Sequence, residues 1–315
     1  MNPQLQSQEV TTSEPVPDSS LDSPQKTSHT EPLPKLHAVP PSRRRQVILW
    51  TGVTLVTLDL CCLPITYFYA LKFDTDLSLQ TIFAIITGVY GLISFTHYFF
   101  RSLRLFLPKK SPKWRPVGWT KWGIAEFLQV NILIIITLVE IELVAATIPH
   151  NPWVRVCAMA SPTICFYVGF LFCGTAILTQ MRKTLPFNMS STPKGSLWRP
   201  ALFAYVEDAG ALEGQGGVPY REAIMKRYEV SPRFRRMILI LDWMWGVGLL
   251  AIAIISTVLI MVLDKNIAFG VGWGLPWAFS AVYALLTVWI VKHHLKREKA
   301  EWAMKEVASS NMSAA

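Results

Sequence analysis

The sequence predicts an all-α membrane protein, a polytopic bundle of six transmembrane helices with cytosolic N- and C-termini and a disordered N-terminal tail. Three observations carry that reading. The 315 residues are 51% hydrophobic and only 16% charged, where a water-soluble chain is about one-quarter charged, and the mean hydropathy is +0.33. The apolar residues gather in six stretches, each near or above the roughly 20 residues needed to cross about 30 Å of hydrocarbon. The basic residues stand at the ends of those stretches and not through them.

Residues 1–45 form the tail. Up to about Ser42 they are rich in Ser, Thr, Pro and Gln with almost no aromatic side chains, so they bury too little apolar area to offset ordering entropy. No apolar run opens the chain, and the first membrane helix is expected to serve as the targeting signal. The spans then fall near 47–71, 77–100, 124–148, 154–179, 237–263 and 268–291, which places four helices in 46–180 and two in 237–291. Strand alternation is missing from all of them, so helices rather than a barrel must satisfy the backbone. Gly270, Gly272, Gly274 and Pro276 are expected to delay the start of the last span. A basic tail, 292–315, closes the chain.

Orientation follows from charge. Arg43 to Arg45, the stretch from Arg101 to Lys121, the loop 181–236 and the run Lys292 to Arg297 are all basic, and the alternate links 72–76, 149–153 and 264–266 are not. The long basic pieces share one side, which the positive-inside rule makes cytosolic. Asn188-Met189-Ser190 and Asn311-Met312-Ser313 match glycosylation acceptors but would face the cytosol unmodified. Trp50, Trp119, Trp122, Trp153, Trp198 and Trp273, six of twelve tryptophans, fit an interfacial belt.

The loop between the fourth and fifth spans is the long polar piece with grammar of its own. Pro219 suits a first helical position. Tyr220, Ile224 and Tyr228 form an apolar stripe, and Glu222 with Lys226 forms an i,i+4 pair. Ser231-Pro232 reads as an N-cap followed by Pro at the first helical position. Gly214, Gly216 and Gly217 lack the Lys-Ser/Thr of a phosphate-binding loop and read as a flexible turn. Glu207, Asp208, Tyr220, Arg221, Arg227, Tyr228, Ser231 and Arg235 are the candidate surface of this loop, for a protein partner or an anionic ligand or, more plainly, for internal pairing and lipid headgroups. The order Arg199-Pro200-Ala201, Glu207-Asp208, glycines, Tyr220-Arg221, Tyr228-Glu229-Val230-Ser231-Pro232 resembles a group of fungal multi-pass membrane proteins with a Glu-Asp/Gly-rich/Tyr-Glu-x-Ser-Pro loop between their helices. Val230 stands where that group carries Ala. The resemblance implies the helix layout and no activity.

Polar side chains within the spans are the other candidates. They are Asp59, Glu126, Asn131, Glu140, Glu142 and Asp242, since an ionisable group in a membrane is costly and usually faces protein or water. At about 100° per residue, Asn131 and Glu142 share one face of the third span, and Glu126 and Glu140 share another. A proton or cation path through Asp59 and Glu140 stands against interhelical hydrogen bonding as the simpler role. The five cysteines lie in apolar segments without metal-site spacing. The residues present no catalytic grouping, metal site, cofactor motif or nucleic-acid-binding motif.

The function expected is a non-enzymatic accessory or scaffold protein of the plasma membrane or an endomembrane, docking a cytosolic or membrane partner through residues 199–236. A transporter or channel using the intramembrane carboxylates is the alternative. A carboxylate-dependent membrane enzyme acting on a lipid-like substrate is a third. Oligomeric state is open.

Overall fold

The fold is taken from a computed structural model that describes residues 62–107, 113–118 and 126–314. Most of the first predicted span, Asp59 included, lies outside the described residues. Leu33–Trp302 forms one unit, and the turns from Ala303 belong to a second. Eight helices are described: α1 Leu63–Asp74, α2 Leu79–Phe106, α3 Phe127–Thr147, α4 Val154–Gln180, α5 Ala201–Leu212, α6 Gly217–Val230, α7 Pro232–Val262 and α8 Lys265–Ala314. Among the described residues the only strand-like features are isolated bridges, Thr184 with Leu197 and Met189 with Thr192.

Five helices are long and apolar enough to cross a membrane: α2, α3, α4, α7 and the Lys265–Met304 part of α8. Their boundaries differ instructively from the hydropathy reading. α2 runs to Phe106, so Arg101 and Arg104 are helical, not loop residues. α7 starts at Pro232, capped by Ser231 Oγ, which accepts from the Phe234 N–H; this puts Asp242 ten residues into the helix instead of one turn. α8 starts at Lys265 and runs through Gly270, Gly272, Gly274 and Pro276 without a break. The glycines are packing contacts there. A Cβ on Gly272 would strike the Ala158 carbonyl, and one on Gly270 would sit 2.6 Å from the Tyr69 hydroxyl.

The core is layered along the bundle. At the end away from the 181–236 segment, α1, α2 and α8 meet through aromatic rings, with Phe68 stacked on Phe269 at 4.1 Å and Tyr90 edge-on to Trp273 at 5.9 Å. Trp273 is buried and donates to the Cys157 carbonyl at 3.1 Å, so it belongs to this core and not to an interfacial belt. Mid-bundle, α4 and α7 cross closely because small residues face each other. A Cβ on Gly169 would lie 2.8 Å from Leu250, and one on Gly246 2.7 Å from the Cys173 sulfur. This small-residue packing is how apolar helices associate where the hydrophobic effect gives no drive.

At the other end, α2 finishes, α3 begins, α4 finishes, α7 begins, and the 290–298 part of α8 passes. The 181–236 segment folds across these ends as a cap. Its apolar stripe is the one the sequence predicts: Ile224 and Tyr228 are buried with Phe203, Phe234 and Met237, against Ile290, Val291 and Leu295 of α8. Pro219 is not the first residue of α6, which begins two residues earlier at Gly217.

Candidate functional site: a buried ionic cluster beneath the cap

The cap is held by charge. Arg221 on α6 is completely buried, and its guanidinium reaches three carboxylates. One fork nitrogen donates to Glu207 at 2.8 Å and Asp208 at 2.7 Å, the other to Glu126 and to the Trp114 carbonyl at 3.1 Å. Arg101, near the end of α2, donates to Glu126 at 2.6 Å and pairs with Glu213 at the surface. Arginine suits this position because its rigid fork serves several acceptors at once while staying charged.

The same acids cap helices of other segments. The exposed N–H groups at the start of α3 have no cap of their own. Phe127 N–H instead donates to Ser190 at 3.1 Å and Leu128 N–H to Asp208 at 3.0 Å, with Ser190 donating to Asp208 at 2.5 Å. α5 likewise lacks a local cap. Asp242 of α7 accepts from Leu202 N–H at 3.0 Å and from Thr175 Oγ1 at 3.1 Å, and Thr175 accepts from Ala201 N–H at 3.0 Å. Orphan N–H groups and the positive end of the helix dipole thus receive a carboxylate in each case. On the α8 side, Arg227 and Ser231 both bond Glu298, and Arg199 lies over the rings of Phe203 and Tyr228.

The charges inside the cluster do not balance. Two guanidiniums face three buried carboxyls, Glu126, Glu207 and Asp208. Burial pushes Glu207 up, Asp208 adds to the rise, and Arg221 opposes it. Glu126 is raised in the same way, burial first. For Arg221 burial works toward a lower pKa, and Asp208, Glu126 and Glu207 more than reverse it. Glu207 Oε2 is buried without a hydrogen-bond partner among the described residues. Two guanidiniums and three carboxylates leave one excess negative charge, and burial raises both Glu126 and Glu207 toward holding the proton that would neutralise it.

The family model described as Domain of unknown function (DUF8766) matches residues 22–302, most of the chain. The chain belongs to that family. No curated protein and no solved structure matches it.

In this DUF8766 protein the predicted site residues fall in different places. Glu126, Glu207, Asp208 and Arg221 come together in the cluster. All four are buried and internally paired, so Glu207, Asp208 and Arg221 do not lie on an exposed loop surface. Arg227, Tyr228 and Ser231 are also buried, Tyr220 is partly so, and Arg235 alone of the eight is exposed, donating to the Glu229 carbonyl at 2.8 Å. Asp242 is a helix cap. The two predicted faces of α3 turn to different neighbours. Asn131 accepts from Tyr167 of α4 at 2.6 Å and Glu142 bonds Thr163 of α4, whereas Glu140 lies against Gly91 of α2. Arg101, Ser190, Thr175, Glu298 and Ser191, whose N–H donates to Glu207 at 3.2 Å, completed these networks without being singled out as site residues by sequence. Ser190 sits inside the Asn188-Met189-Ser190 motif and acts there as a hydrogen-bonding relay. The one available hint for Arg101 was helical continuation past Phe100.

Proposed function

We propose that this chain is a multi-pass accessory or scaffold protein, with the segment 47–71 as a sixth span and with both termini and the cap in the cytosol. One observation carries the accessory reading. The 181–236 segment is built as a rigid platform, its ionic groups spent on fixing it to helix ends, and it leaves Glu222, Lys226, Glu229 and Val230 of α6 as one exposed face. A connector between two spans needs no such construction. The platform face carries charges of both signs and an exposed valine, a composition suited to a protein partner. The likeness of the loop to fungal multi-pass membrane proteins supports the same layout. Arg221 and Tyr228 are buried and their replacement would unfold the cap, so the exposed face is where a partner contact can be tested. A Glu222→Ala/Lys226→Ala/Glu229→Ala variant is compared with Glu140→Gln/Glu142→Gln after gentle purification of the full chain. Loss of a stoichiometric protein partner from the first variant and its retention in the second is expected. The reverse, or no partner in the unaltered protein, overturns the reading.

A proton- or cation-coupled transporter is the second reading, favoured by one feature. Glu140 and Glu142 each keep a buried carboxyl oxygen without a hydrogen-bond partner among the described residues. Their facing different helices counts against one continuous path. Transport lost in Glu140→Gln/Glu142→Gln, with the exposed-face variant fully active, would establish it.

A further inference from the structure

We infer that the ends of α7 and α8 form a binding site for the phosphate headgroup of an anionic phospholipid. The inference requires only that these helices span a bilayer, not that the chain acts as a scaffold. The acids of this region are already engaged: Glu298 by Arg227 and Ser231, Glu301 by Arg233. What remains is basic. Arg236 of α7 and His293 and Arg297 of α8 are exposed, and no described acid pairs with them. All three, with Arg233, lie within electrostatic reach of His294, whose Nδ1 is buried without a hydrogen-bond partner among the described residues.

The arrangement along α8 identifies a lipid as the occupant. Val282, Leu285 and Trp289 are exposed, at 64%, 74% and 65%, and with His293 and Arg297 they fall within one stripe at about 100° per residue. Read toward the end of the helix, the stripe passes from aliphatic side chains to an indole, then an imidazole stacked on that indole at 5.9 Å, then a guanidinium. That is the order of a phospholipid from acyl chain through interface to headgroup. Basic side chains between helices at a membrane edge are suited to anionic headgroups, at about 1 kcal/mol per cation.

The test uses the full chain in nanodiscs of phosphatidylcholine with a minor fraction of phosphatidylserine, with native mass spectrometry of the lipids retained on release. The unaltered protein is expected to retain phosphatidylserine selectively. Arg236→Gln/His293→Gln/Arg297→Gln should reduce that selectivity roughly thirtyfold, the effect of two arginines. Arg182→Gln/Lys183→Gln, which removes exposed cations elsewhere on the cap, should leave it intact. Arg236→Lys/Arg297→Lys should retain most of it, and this comparison still decides the matter if the triple variant fails to fold. No selectivity in the unaltered protein, or equal loss in the Arg182/Lys183 control, overturns the inference. Binding of glycerophosphoserine, which lacks acyl chains, as tightly as the lipid would also overturn it by making this a site for a soluble phosphate.

Discussion

At the scale of single residues, Arg221 decides whether the cap holds. Removing one partner of a buried ion pair leaves charge without compensation and costs about 3–5 kcal/mol. Arg221→Met should therefore lower the unfolding temperature of the detergent-purified protein more than any exposed cap substitution. Adding Glu207→Gln to it should restore part of the loss, because the residues share one network. An unfolding temperature close to that of the unaltered protein would mean the guanidinium is not paired as described. The excess carboxyl sets a pH dependence. Glu207 is raised from the ordinary carboxylate range to about 7, and Glu126 of the same network to about 8. Between those values the folded chain holds a proton that the unfolded chain has released, so stability falls as pH rises. Unfolding followed from pH 5 to 8 should show this decline, and Glu207→Gln should make it shallower, Glu126 supplying the remainder. Of these residues the sequence showed the acids and the arginine as a charged surface. It could not show their burial, because partners such as Glu126 and Arg221 stand 95 residues apart and no periodicity links them.

At the scale of elements, what was legible depended on whether the signal was local. The stripe Tyr220, Ile224, Tyr228 and the Ser231-Pro232 helix start are written within a few residues, and α6 and α7 follow them. Helix ends set by tertiary contacts were misread. α2 runs past Phe100 to Arg101 because Glu126 and Glu213 are there to receive that guanidinium, and α8 runs through its glycines because Ala158 and Tyr69 pack against them. Capping in trans was invisible for the same reason: α5 begins after Pro200 with no local cap, and its cap, Asp242, lies on another helix. Asp242→Ala should cost about 1–3 kcal/mol, as for a buried hydrogen-bonded group left without its partner. Its signature should be local, with faster hydrogen exchange at the Ala201 and Leu202 amides and little change at α6. Thr175→Val should reproduce the Ala201 effect alone. Uniform acceleration across the cap would show that Asp242 acts through global stability and not as a cap.

At the scale of the whole molecule, one arrangement accounts for both ends of the bundle. Aromatic packing closes the end where α1, α2 and α8 meet, and the ionic cap closes the other, where the ends of five apolar helices gather. A charged cluster of this kind is sustainable only beside water or headgroups, since the deep interior of a bilayer would impose the full desolvation of every group not paired. If α3 and α4 cross the bilayer as proposed, the cap and the link between α3 and α4 are expected on opposite sides of the membrane. Lys194 in the cap and Asn151 in that link are both exposed, so each tolerates a probe. With the native cysteines replaced, Lys194→Cys and Asn151→Cys should react with a membrane-impermeant maleimide from opposite faces of sealed vesicles, and the Lys194→Cys face should be cytosolic by the excess of basic residues around it. Labelling of both from one face would mean that α3 and α4 do not cross, and the proposed placement of the cap on the cytosolic side would fall with that crossing.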